Sequence, residues 1–188
     1  MNIFQHQVLL AHAISDDDIS LFDKCLSRGA NPNLGSLWEE SDGSIHSYRH
    51  IMVIAGSKYK YGTEILEKLL AAGANPSEQD KNKILIESIW PLNLPFLKWC
   101  LENNTELNLP SYPEGPTPLI FLCYRWNDTR RDEYIKAAIL LLKSGIDPNL
   151  LWKGTCDRKI NWKGHLRQTL HSHGGKLVDQ IILQIESG

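Results

Sequence analysis

Residues 28–33 read Arg-Gly-Ala-Asn-Pro-Asn (RGANPN). Close variants return as AGANPS at 72–77 and SGIDPN at 144–149, with a blurred copy, NNTELN, at 103–108. Each copy follows a leucine-rich run: LFDKCLS, ILEKLLA, FLKWCLE or AILLLKS. A phrase that returns after the same kind of segment marks a repeat architecture. Its physical content is a helix that stops and turns. Over residues 20–33, Leu21, Phe22, Cys25 and Leu26 share one helical face, while Asp23, Lys24 and Ser27 share the other. Gly29 stands where a left-handed C-cap is needed, Asn31 favours the turn, and Pro32 cannot continue the helix. In the blurred copy Asn104 takes the glycine position, and asparagine tolerates left-handed geometry best after glycine.

Further helical patterns precede three of these runs: VLLAHAISDDD at 8–18, KILIESIWPLN at 83–93 and TPLIFLCYRW at 117–126. The first pair therefore reads as helix, tight polar turn, helix, glycine turn. Asp16, Asp17 and Asp18 suit the start of the second helix, where the helix dipole favours negative charge.

These features resemble the ankyrin-repeat family, whose unit of about 33 residues is a β-turn and two antiparallel helices opening on T-P-L-H. Thr117-Pro118-Leu119-Ile120 carries three of those four letters, after Gly115, and Leu140–Asn149 (LLLKSGIDPN) is similar to the family's helix-ending phrase. The resemblance spans residues 5–187. It implies an all-α solenoid in a single domain, 1–188, of about five helix-turn-helix units: 1–33, 34–77, 78–108, 109–149 and a degenerate cap at 150–188. It also implies a scaffold that binds other proteins.

The departures from the family's spacing are informative. Gly29 and Gly73 are 44 residues apart, Gly73 and Asn104 are 31 apart, and Asn104 and Gly145 are 41 apart. Two units therefore carry extra residues, at 34–47 and 57–62 in one and at 110–115 and 124–131 in the other. Inserts in repeat arrays map to loops on one face, often the binding face. The loop 34–47 holds Trp38, Glu39, Glu40, Asp42 and His46, with three carboxylates and no Lys or Arg. The loop 150–164 holds Trp152, Lys153, Arg158, Trp162 and Lys163, with four cations against one carboxylate. Tyr124, Arg125 and Trp126, with Tyr112 and the Tyr59–Tyr61 stretch, add an aromatic and basic rim. Trp, Tyr and Arg are the residue types most often found as interface hot spots. These residues are the candidate partner-binding set; each Trp has packing of its own loop as the alternative. Trp90 and Trp99, on helical faces, read as core.

Composition fits a folded protein: 42% hydrophobic, 22% charged and a net charge of −2. No apolar run approaches the roughly 20 residues that span a bilayer, and the N-terminus lacks a secretory pattern. A cytoplasmic protein, monomeric when free and bound to neither membrane nor nucleic acid, is expected. Cys25, Cys100 and Cys123 fall at apolar positions and read as core; Cys156 lies in a polar loop. His165, His171 and His173 cluster near the C-terminus without a Cys or carboxylate at metal-ligand spacing. No catalytic set, cofactor motif or metal site is recognisable. The expected function is a non-catalytic inhibitor that binds a partner protein, such as a toxin or an enzyme, in the manner of an immunity protein. An adaptor or secreted effector, and an enzyme built on the inserts, stay open beside it.

Overall fold

The computed structural model describes residues 3–39, 45–58, 62–103, 106–110, 115–152, 158–170 and 175–188, with backbone alone at 3, 4, 36–39, 45–48, 128 and 175. Among these residues the chain is mostly helical. In order, the helices are α1 (Ile3–Ser15), α2 (Ile19–Ser27), α3 (Ile51–Gly56), α4 (Gly62–Ala71), α5 (Glu78–Ile89), α6 (Leu94–Asn103), α7 (Pro118–Tyr124), α8 (Arg131–Lys143), α9 (Trp162–Thr169) and α10 (Gly175–Ser187). A short 3-10 turn, Asp128–Arg130, leads into α8. The chain divides into two compact units, Met1–Cys100 and Leu101–Gly188. In the first, α1 packs on α2 and α3, and α3 packs on α4 and α5. In the second, α7 packs on α8 and α9, and α10 packs on the same two helices.

Local chemistry starts these helices. Asp18 caps α2 by accepting the Leu21 N–H at 2.9 Å. Ser77 caps α5 by accepting the Asp80 N–H at 3.2 Å, and its hydroxyl donates to the Asp80 carboxylate at 2.6 Å. Proline at the first position of α7 fixes φ where no N–H is needed. Each cap satisfies a backbone donor that the helix itself leaves without an acceptor.

The repeated phrase ends helices in one way at three places. Gly29, Gly73 and Gly145 have φ of +89°, +88° and +90°. The N–H after each glycine donates five residues back along the chain: Ala30 to the Cys25 carbonyl at 3.1 Å, Ala74 to Leu69 at 2.9 Å, Ile146 to Leu141 at 3.4 Å. The glycine N–H donates to Leu26, Leu70 or Leu142 at 3.0–3.1 Å. This is the Schellman closure, and the residue after each glycine is buried with its helical acceptor residue, supplying the apolar contact that accompanies it.

The remaining letters also have roles. The Asn31 side chain accepts the Asn33 N–H at 2.8 Å, and Asp147 accepts the Asn149 N–H at 2.8 Å, the same local turn in two copies. The last asparagine then reaches the following copy. Asn33 donates to the Gly73 carbonyl at 2.9 Å and accepts the Asn75 N–H at 2.6 Å. Asn108 accepts the Asp147 N–H at 2.8 Å. Ahead of the first copy, buried Gln7 of α1 accepts the Asn31 N–H at 2.8 Å. In the second copy Ser77 replaces the asparagine and caps α5 instead.

One segment differs from expectation. The stretch 34–47, expected as a loop in an all-α chain, contributes to an antiparallel hairpin of β1 (Gly35–Glu39) and β2 (Ile45–His50). Leu37 pairs with Ser47, Trp38 with His46 and Glu39 with Ile45, with an irregularity between Gly35 and Leu37. A two-stranded ribbon is marginal alone; here β1 lies against α1, whose Gln7 donates to the Leu34 and Gly35 carbonyls at 3.3 Å. β2 runs directly into α3, which His50 caps by accepting the Met52 N–H at 3.2 Å on Nδ1.

The cores contain Leu10, Phe22, Ile51, Leu69, Leu85 and Phe96 in the first unit, and Leu122, Ala138, Leu141, Leu166 and Ile181 in the second. Cys25, Cys100 and Cys123 are free and buried, and burial raises each thiol pKa above its ordinary range.

Candidate protein-interaction surface

In the second unit, α7 buries Leu119, Ile120, Leu122 and Cys123 and ends at the expected aromatic-basic stretch. The three residues diverge in direction. Tyr124 faces outward and is 44% exposed. Arg125 is half-buried, with its guanidinium 5.5 Å from the Phe121 ring centre. Trp126 turns inward: it is 7% exposed, and its ring lies 5.2 Å from that of Tyr134. The Tyr134 hydroxyl donates to the Arg125 carbonyl at 2.6 Å, which fixes the end of α7 against α8.

The basic loop is closed at its base. Trp152 and Ile160 exchange two backbone hydrogen bonds, each 3.0 Å. The Trp152 ring stands between two others: Tyr124 meets it edge-on at 5.9 Å and 88°, and His165 lies at 5.4 Å and 37°. Aromatic pairs of this kind contribute about 0.5–1.5 kcal/mol beyond their buried area. His165 is buried, and its Nε2–H donates to the Trp152 carbonyl at 2.9 Å. Burial lowers the His165 pKa, opposed by hydrogen bonding to the carbonyls of Trp152 and Ile160. Leu151, beside Trp152, is 58% exposed. Tyr124 beside the Trp152 ring, and Leu151 next to Trp152 in the chain, thus leave apolar area exposed near the bridge.

Charge follows in two kinds. Lys163 pairs with Glu186 and stands 5.8 Å over the Trp162 ring. Arg167 pairs with Asp179 at 3.0 Å. Arg158 and Lys159 are exposed, and among the described residues no carboxylate pairs with them.

Two of the expected contact residues are corrected. Trp126 belongs to the α7–α8 packing. Trp162 is 1% exposed, the first residue of α9, and forms core; Asn161 caps that helix by accepting the Gly164 N–H at 3.2 Å. An indole carries too much apolar area to leave in water where a helix packs beside it. Trp90 departs in the other direction: expected as core, it is 55% exposed in the turn after α5. Trp38, Glu39 and His46 lie on the hairpin backbone, while Glu40, Asp42, Tyr112 and Lys153, with Cys156, His171 and His173, lie outside the described residues.

Two contributors to this surface carry no motif in the sequence. Leu151 sat in the loop without a pattern to single it out. His165 stands out in the sequence only as one of three C-terminal histidines without metal-ligand spacing, which says nothing of a contact with Trp152. The alternation Trp152 … Ile160 around a polar loop was the available signal for the closed base. No family model matches the chain, and no curated protein matches its sequence.

Proposed function

We propose that the chain is a non-catalytic protein-binding module of the ankyrin-repeat type, acting in the cytoplasm to hold and thereby inhibit a partner protein. The repeat reading is supported by the glycine turns, with identical closures at Gly29, Gly73 and Gly145, and by asparagines that link one turn to the next. The binding reading is carried by one observation: Tyr124 and Leu151 stand exposed beside a Trp152 whose ring and backbone are both braced. Preorganised aromatic surface loses little conformational freedom on binding and is the usual material of hot spots.

The test is capture of a partner from the native cell, followed by binding kinetics and titration of the partner's own activity. Trp152→Ala should weaken the complex about thirtyfold, which corresponds to a hot spot of roughly 2 kcal/mol. The partner's activity should fall to its floor at one equivalent. A partner that binds with its activity intact makes the chain an adaptor, and unaltered binding by Trp152→Ala places the contact surface elsewhere.

A further inference from the structure

Resting on that binding reading, we infer that the second unit's surface takes an acidic protein segment that also presents an apolar side chain. The inference comes from which charges are already satisfied. The α9 cations Lys163 and Arg167 are paired with Glu186 and Asp179 of α10. Arg158 and Lys159 are exposed, and no described carboxylate pairs with them. They precede Ile160, whose backbone is bonded to Trp152. At the rise of an extended chain, about 3.3 Å per residue, both cations are carried within a few residues' length of the Trp152 ring. An apolar patch and two cations that no described carboxylate pairs with therefore lie at the Trp152–Ile160 bridge.

That arrangement fits one or two carboxylates flanking an apolar side chain. The apolar group would lie against Tyr124, Leu151 and Trp152 while the carboxylates meet Arg158 and Lys159. A nucleic acid fits less well. Affinity for a phosphate backbone comes from neutralising many phosphates, about 6–10 for a typical strong binder. Here two neighbouring cations are already spent on internal pairs, and the chain carries a net charge of −2. The brace from His165 and the Trp152–Ile160 bridge matters because it fixes the backbone at Trp152 and Ile160 before the partner arrives.

The experiment uses the full chain and three probes: a peptide alternating Asp and Glu around a central Leu-Phe pair, the same peptide with Lys at every acidic position, and a single-stranded oligouridine. Binding is read by Trp fluorescence and by amide shifts at 121–126 and 150–166. The acidic peptide should bind at least about tenfold more tightly than its Lys counterpart, and raising salt should shrink the difference. Arg158→Glu with Lys159→Glu should reverse the order. Both positions are exposed, so the variant keeps the fold, and its unchanged melting curve provides the control. Equal binding of the two peptides, no binding of either, or preference for the oligonucleotide overturns the inference. If a captured partner still depends on Trp152, such a result overturns the acidic-segment inference and leaves the binding reading standing.

Discussion

Gly145 has φ of +90°, and nothing lies within 4 Å of where its Cβ would stand. Substitution there meets no neighbour, so any cost is conformational. An L-residue held in left-handed geometry costs about 1–2 kcal/mol. Gly145→Val should therefore lower the melting midpoint by about 2–8 °C for a chain of this size, while Gly145→Asn should recover much of the loss. Equal midpoints for Gly145→Val and the parent would contradict the turn assignment. Leu69 and Leu141, the buried acceptors of the same closures, should each cost about 2–5 kcal/mol when replaced by Ala, measured by denaturant unfolding. At this scale the sequence was most legible. Gly, Asn and Pro at fixed offsets have narrow conformational uses, so their order stated the geometry. Trp was least legible: Trp90, expected as core, is exposed, and Trp126 and Trp162 take the packing alternative rather than the contact role, because indole suits either a core or an interface and only tertiary contacts decide.

Helices were readable as elements from their periodicity and caps, whereas the hairpin at 35–50 was not. Its pattern is too polar to reveal alternation, and it forms against α1 and α3. Asp42-Gly43, a turn-forming pair between two short runs, was the local signal that pointed to a hairpin. Two elements involve histidines whose pKa burial lowers. His50 caps α3 through a ring nitrogen that must stay unprotonated, and burial lowers its pKa, with Asp80 opposing. His165 braces the base of the basic loop, and its pKa is lowered too. With folded-state values below the unfolded value of about 6.5, the unfolded chain binds more protons in the interval between them. These contributions are present in full above about pH 6.5 and decline as pH falls towards the folded-state values. The melting midpoint should drop between pH 7 and pH 5. His50→Asn, which supplies a cap that does not titrate, should flatten that drop; an unchanged slope would remove His50 from the explanation.

Across the whole molecule, function was less legible than fold. Extra length at 34–47 and 150–164 directs attention to these segments, since residues beyond a repeat's needs are free to serve binding. Charge counting alone could not separate Lys163, which is paired with Glu186, from Arg158, which is exposed. The Tyr124–Trp152–His165 cluster joins residues about 40 positions apart in sequence, a distance over which no local pattern carries information. Hydrogen exchange on the full chain with and without its captured partner tests the binding surface most directly. Slowed exchange should concentrate at 121–126 and 150–162, and Trp152→Ala should abolish it there. Protection confined to other segments, with these amides exchanging as in the free chain, would contradict the assignment of the Tyr124–Leu151–Trp152 surface as the place where the partner binds.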